Sequence, residues 1–360
     1  MQTGKPKIIE CCGTPYETGR QYGGASKDSI IKSVDFMFNS LKNGYFRASR
    51  DNVLKASAKY LENVKAFDSG AVEWIDGIAR GAGISFEESF ALKCYLEVSM
   101  NYPSVSGMCT SFALTGAATE NGVTILGQNI DWHPEATVDL LLIKNTGGLD
   151  QLSLCLLGTS YYYLNSAGVG CCSNLTLSPM GPVKAHIPLS IYLRKAMGED
   201  SLEGAMNVLE KTARGVGYYH LADKNGQMAG IESTYDDYRI INPEDNVLVH
   251  ANHYETAEYK KNDLAYTYIK DSFGRSKRLR ELVSEYFGCI TPEHAMDFLR
   301  DHAGHPDSIC RHVNGRNPGD MASESRASIV MVPEERKVYI AFGPPCENPY
   351  YEYSVRVKNL

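Results

Sequence analysis

A cysteine at position 109 stands where a chain can cut itself. It follows the small and flexible Ser106-Gly107-Met108 and opens a run that reads as a strand. A thiol so placed can attack the carbonyl before it, moving the peptide bond to a thioester that water then hydrolyses. The freed α-amine, with an intrinsic pKa of about 8, becomes a base beside the new nucleophile. A thiol suits this work because part of it is already thiolate near neutral pH. The ordinary alternative is a small packed thiol at a strand start.

Other side chains fit the same chemistry. The strand 123–131 ends in Gly127-Gln128-Asn129-Ile130-Asp131. Paired as a hairpin with 110–117, it returns Asp131 to Cys109, where a carboxylate holds a new ammonium. Asn252, in His250-Ala251-Asn252-His253 after the strand 246–249, can donate its amide to a developing oxyanion. Arg326, after Ser325, can anchor a substrate carboxylate or steady Asp131. Each also has a plain reading: a strand-end aspartate, an Asx turn and a surface arginine.

The elements that must position these residues change character at Cys109. The first hundred residues read as helical, with apolar residues at helical spacing over Ile30–Leu41, Val53–Phe67 and Ala71–Ala79. Ser85 and Glu88 form a capping-box pair that opens a helix to about Met100. Residues 102–107 read as a loop. Strands are expected at 110–115, 123–129, 138–144, 150–157, 161–165 and 168–175, with Glu120-Asn121-Gly122 a turn. Helices follow at 188–197 and 202–212, then strands at 217–222, 228–232, 238–241 and 247–250. Helices at 276–287 and 292–302 lead to closing strands at 327–332 and 337–342. This order predicts an α+β fold with two packed sheets and helices outside.

Several motifs together resemble the family typified by acyl-coenzyme A:6-aminopenicillanate acyltransferase, within the N-terminal-nucleophile (Ntn) hydrolases. They run in order: Gly13-Thr14-Pro15-Tyr16-Glu17-Thr18-Gly19, Cys109-Thr110-Ser111, Gly127 to Asp131 and Asn165-Ser166-Ala167-Gly168-Val169. His250 to His253, Ser308-Ile309-Cys310-Arg311 and Ser325-Arg326 complete them. The resemblance implies a four-layer αββα sandwich, the Ntn-hydrolase fold, with a helical leader at residues 1–108 and a catalytic body at 109–360. It implies cleavage between Met108 and Cys109, with Cys109 as nucleophile, Asp131 orienting, Asn252 at the oxyanion and Arg326 in support. Asn165 joins them near the oxyanion or substrate. Met108 departs from the glycine that commonly precedes the nucleophile. The Met-Cys-Thr-Ser start also resembles bile-salt hydrolases, which carry Arg where Gln128 stands and lack the long leader.

Composition narrows the partners. With 36 basic and 43 acidic residues the net charge is −7, so general attraction to nucleic acid is not expected. No stretch approaches the length of a membrane helix, and a cytoplasmic protein is expected. The ten cysteines form no CxxC. His302, His305, Cys310 and His312 lie close in sequence, but their spacing does not make a closed zinc site. The basic stretch Phe273–Leu282 reads as a solvated helix face, or less simply as a seat for an acidic thioester carrier. No metal or bound cofactor is required; acyl-CoA enters only as a possible substrate. The expected partner is a small acyl amide or thioester, and the two cleaved chains are expected to stay associated. The alternative is an uncleaved binding or thiol-sensing protein on the same fold.

Overall fold

A computed structural model describes residues 5–43, 47–99, 108–179, 186–212, 217–316, 319 and 322–356. The expected loop 102–107, with Ser106 and Gly107, and the helix end at Met100 lie outside the described residues.

The leader begins with a strand, β1 (Ile9–Gly13), so it is not wholly helical. Helices α1 (Pro15–Ala25), α2 (Lys27–Asn43), α3 (Arg50–Ala58), α4 (Leu61–Phe67), α5 (Ser69–Ala82), α6 (Phe86–Lys93) and α7 (Tyr95–Ser99) follow. Thr14 and Glu17 form a reciprocal cap for α1, with Pro15 in its first turn. Ser85 and Glu88 do the same for α6. The helix expected over 53–67 is divided in two at Lys59 and Tyr60, where the Tyr60 N–H bonds the Ser57 carbonyl at 3.0 Å in a turn.

The body supplies β2 (Met108–Gly116), β3 (Gly122–Trp132), β4 (Val138–Asn145), β5 (Gln151–Leu156), β6 (Thr159–Asn165) and β7 (Val169–Asn174). Helices α8 (Leu189–Ala196) and α9 (Leu202–Thr212) precede β8 (Gly217–Asp223), β9 (Met228–Ser233), β10 (Tyr238–Ile241) and β11 (Val247–His250). Short helices α10 (Ala257–Lys260) and α11 (Ala265–Tyr268) lead into α12 (Asp271–Glu285) and α13 (Pro292–Leu299). Strands β12 (Glu324–Val332), β13 (Lys337–Phe342) and β14 (Tyr351–Ser354) close the chain.

The strands make two sheets, ordered β1-β4-β5-β6-β7-β8-β9-β10 and β11-β2-β3-β12-β13-β14. They face one another through β2 and β3 on one side and β7 and β8 on the other. Helices α12 and α13 cover the outer face of the six-stranded sheet, and α8 and α9 pack on the eight-stranded one. The result is the four-layer αββα sandwich. Strand β2 is buried from Cys109 to Thr115 because it has a sheet on one face and helices on the other. Among the described residues no helix is long and apolar enough to cross a membrane.

The leader belongs to the same core. β1 pairs parallel with β4, and Tyr22, Met37 and Trp74 share one apolar cluster with Leu141 and Leu154 of the large sheet. Helices α1 and α5 touch backbone to backbone at Gly19, Gly23, Gly77 and Gly81. A methyl on Gly23 would lie 2.4 Å from the Ile78 carbonyl oxygen, and one on Gly77 2.2 Å from that of Tyr16. On α1 only one residue away, a methyl on Gly24 would meet nothing closer than 4.0 Å. Gly23→Ala is therefore expected to destabilise the protein by about 1–3 kcal/mol through overpacking. Gly24→Ala is expected to be neutral, or to stabilise by up to about 1 kcal/mol through helix propensity. Urea unfolding of both variants checks the contrast.

Candidate active site

Alternation along β2 assigns the Cys109 side chain to a face. Ser111, two residues on, bonds Asn174 of β7 at 2.6 Å, so it points between the sheets. Cys109 therefore points there too. Its sulfur meets the Gln128 amide and the Tyr162 hydroxyl. Gln128 is itself fixed across the sheets: its Nε2 bonds the Ser173 carbonyl at 2.5 Å, and its Oε1 accepts from the Ser173 N–H at 3.0 Å. The intervening Thr110 points the other way, toward α12.

The backbone of Cys109 is held from that second side. Its N–H donates to Asn252 Oδ1 at 2.8 Å, and its carbonyl accepts from Arg275 Nη1 at 2.6 Å. Arg275 also reaches Thr110 Oγ1 at 2.6 Å and Asn252 Oδ1 at 2.8 Å, while its Nε bonds Asp271 at 2.8 Å. Two donors on one Asn252 atom require that atom to be the amide oxygen. Its Nδ2 bonds the Leu175 carbonyl at 2.8 Å, and its backbone N–H donates to Ser272 Oγ at 2.7 Å.

Asp131 stands across the hairpin, opposite Met108, as Ile130 stands opposite Cys109. Ser325 Oγ donates to its Oδ1 at 2.7 Å, and Arg311 Nε lies 3.7 Å from its Oδ2. Oδ2 has no hydrogen-bond partner among the described residues. Arg311 also binds Asp271 through Nη2. The four charges thus run Asp131, Arg311, Asp271, Arg275, and end on the carbonyl of Cys109.

Their electrostatics differ instructively. Burial raises the Asp271 carboxyl, but the two arginines outweigh it and hold Asp271 below its ordinary range. For Asp131 burial prevails over Arg311, Arg275 and Ser325, and its pKa is raised. Burial and then the Asp131 charge push the Cys109 thiol up to about 11, against Gln128, Arg275 and Tyr162. A thiol so raised is mostly protonated, and a poor nucleophile, near neutral pH.

Two residues named from the sequence sit elsewhere. Arg326 bonds the Ala136 carbonyl at 3.2 Å and pairs with Glu324; the arginine beside Asp131 is Arg311. Asn165 organises the turn between β6 and β7: its Oδ1 accepts from Ala167 and Val169, and its Nδ2 donates to the carbonyls of Met197 and Glu199. Asn174, at the end of the following strand, instead faces β2 through Ser111, and its amide bonds the His250 carbonyl at 3.2 Å.

Arg275 corrects the reading of Phe273–Leu282 as a solvated face. It shares the buried stripe of α12 with Ser272, Ser276, Leu279, Leu282 and Val283. An arginine in phase with apolar residues was the available signal. Of the remaining cations, Arg278 pairs with Asp301 and Arg280 bonds the Val249 carbonyl. Lys277 and Arg280 line a surface concavity of about 700 Å³ together with Glu255, Glu281 and Glu285. Its mixed charge does not favour an acidic carrier. Arg275→Gln leaves buried partners uncompensated and is expected to cost about 3–5 kcal/mol. The exposed Lys277→Gln is expected to change stability by less than about 0.5 kcal/mol; guanidinium unfolding measures both.

The profile of the family described as acyl-coenzyme A:6-aminopenicillanic acid acyl-transferase matches residues 117–347, well over half of the chain. Cys109 lies just before that span. Among solved structures, a mutant conjugated bile acid hydrolase from Clostridium perfringens aligns with TM-score 0.46 and 11% identity, over 69% of this chain and 98% of that one. Penicillin V acylase from Agrobacterium tumefaciens aligns with TM-score 0.46 and 14% identity, over 68% and 86%. The N-acylethanolamine-hydrolyzing acid amidase ortholog of Caenorhabditis elegans aligns with TM-score 0.42 and 13% identity, over 63% and 93%. By the extent of the profile match, the chain belongs to the acyl-coenzyme A:6-aminopenicillanic acid acyl-transferase family.

Proposed function

We propose that this chain cuts itself between Met108 and Cys109 and then hydrolyses or transfers acyl groups through an S-acyl Cys109 enzyme. One observation carries the reading. The nitrogen, the carbonyl and the sulfur of Cys109 each have separate buried partners: Asn252, Arg275, and Gln128 with Tyr162. Packing alone does not call for that arrangement at a small thiol.

In the cut, Cys109 Sγ loses its proton and attacks the Met108 carbonyl carbon. The C–N bond breaks, the departing nitrogen takes up a proton, and a Met108 thioester on Cys109 remains for water to hydrolyse. The new α-amine stays beside Asn252 Oδ1, with Asp131 Oδ2, which holds no hydrogen bond among the described residues, as its counter-charge. As the free amine it then accepts the thiol proton during turnover. One Asn252 amide hydrogen is engaged with Leu175; the other, with a backbone N–H, is assigned to the oxyanion. An amine or thiol leaves, and water or a second amine takes the acyl group.

The substrate class follows from the same sulfur carrying both acyl groups. Met108 packs against an apolar cluster of Leu175, Leu177, Tyr235, Ala265 and Ile269. An apolar acyl chain is the occupant that suits this surface once Met108 has left. The ten cysteines are free thiols, and a reducing cytoplasm is the compartment that keeps Cys109 usable. The leader is held to the body by β1 and the shared core, so the two cleaved chains are expected to remain together without a disulfide.

The test is to synthesise the chain in a cell-free system and follow its cleavage by gel and N-terminal sequencing from pH 6 to 9. The larger fragment is expected to begin Cys109-Thr110-Ser111. With the thiol at about 11, thiolate and cleavage rate should rise about tenfold per pH unit over this range. Cys109→Ala is expected to stay whole and folded. Cleavage of that variant at the same bond, or an active wild type that remains intact, would remove the mechanism.

A further inference from the structure

His302, Cys310, His312 and Cys346 converge where the segment after α13 meets the turn between β13 and β14. Their nitrogen and sulfur atoms all lie within 4.8 Å of one another. The two sulfurs are 3.6 Å apart, and the two Nε2 atoms 3.1 Å. His312 Nε2 is 3.7 Å from the Cys310 sulfur and 3.3 Å from that of Cys346. Zinc bonds of about 2.3 Å to sulfur and about 2.0 Å to nitrogen, at tetrahedral angles, require separations of about 3.8 Å (S–S), about 3.5 Å (S–N) and about 3.3 Å (N–N). The four measured edges lie close to those values. Sequence spacing grouped His305 with three of these residues; the fold replaces it with Cys346, which is distant in the chain.

We propose that these four side chains bind Zn²⁺ in a closed, tetrahedral Cys₂His₂ site. Two thiols give up their protons to solvent and two neutral imidazoles offer lone pairs, so two thiolates balance the charge of the ion. His312 has its other nitrogen, Nδ1, 3.5 Å from Glu347 Oε1. A carboxylate there keeps the proton on Nδ1 and turns the Nε2 lone pair toward the cluster. Four protein ligands leave no open position, which is the pattern of a structural zinc rather than a catalytic one. His302 and Cys346 reach the surface, giving the ion a way in.

The position says what such an ion would do. Cys310 and His312 flank Arg311, the arginine that connects Asp131 to Asp271. Cys346 belongs to the turn after β13, in the same sheet as β2. Binding would clamp the Arg311 segment to that sheet, which makes the four ligands positioning residues for the Cys109 network.

The test reads metal and not activity. Chelator-stripped protein, kept under a phosphine reductant, is incubated with zinc chloride or cobalt chloride and dialysed. The expected result is one equivalent of zinc per chain by mass-spectrometric metal analysis. The cobalt form is expected to show a thiolate-to-metal charge-transfer band and strong tetrahedral visible bands. Cys346→Ser and His302→Gln should each weaken retention at least tenfold, whereas Cys289→Ser, at an exposed cysteine outside the cluster, should match wild type. No retained metal, a cobalt spectrum without the thiolate band, or unchanged retention in Cys346→Ser would overturn the proposal. So would a Cys310–Cys346 disulfide that persists under the phosphine reductant.

Discussion

Arg275 and Arg311 meet on a single oxygen of Asp271 beneath helix α12, and the geometry around Cys109 hangs from that point. Taking ions out of water costs several kcal/mol each, so such a cluster persists only when its donors and acceptors are matched. Guanidinium forks supply that match, with several fixed donors on each side chain. Arg275 uses its fork to hold Asp271, Asn252, Thr110 and the Cys109 carbonyl at once. Helix α12, strand β2 and the end of β11 are thereby locked at one residue. Arg311 extends the lock to Asp131 and β3. A lysine has neither the reach in several directions nor the planarity to replace either arginine.

The same arrangement separates the two faces of Cys109. Its sulfur lies between the sheets among Gln128, Tyr162 and the seam that joins β3 to β7, where burial and the Asp131 charge outweigh the pull of Arg275. Its nitrogen and carbonyl lie under α12 among charges. In the proposed mechanism, a thiol in the first place turns over poorly while the nitrogen in the second is still an amide. The proposed cut would change the nitrogen from a hydrogen-bond donor into a base. The leader is built into that framework, through β1 on the edge of the large sheet and the glycine contacts of α1 with α5.

Much of the fold was legible because local patterns and tertiary demands agree. The strands β2 to β9 and the helices α5, α8 and α9 follow apolar periodicity, and Ser85 with Glu88 marks a helix start. Strand β1 was not legible, because Cys11 and Cys12 lack a strand's alternation and depend on β4, far along the chain, for their bonds. Helix α1 was hidden by Gly19, Gly23 and Gly24, poor helix formers of which the first two serve contact with α5. For the site, the strand ends at Cys109, Asp131 and Asn252 were readable from position. Arg275 was missed because, on a charged helix, its place in the apolar phase is the sign that separates it from its exposed neighbours Lys277 and Arg280. Asn174 and Cys346 become visible only when distant segments are brought together.

A quenched-flow reaction with an apolar N-acyl amide, followed by peptide mass spectrometry, tests the central claim most directly. The account predicts an acyl adduct on the sulfur of an N-terminal Cys109, in the peptide that starts Cys109-Thr110-Ser111, and its release by hydroxylamine. An adduct on any other cysteine, or on Cys109 still joined to Met108, would contradict it.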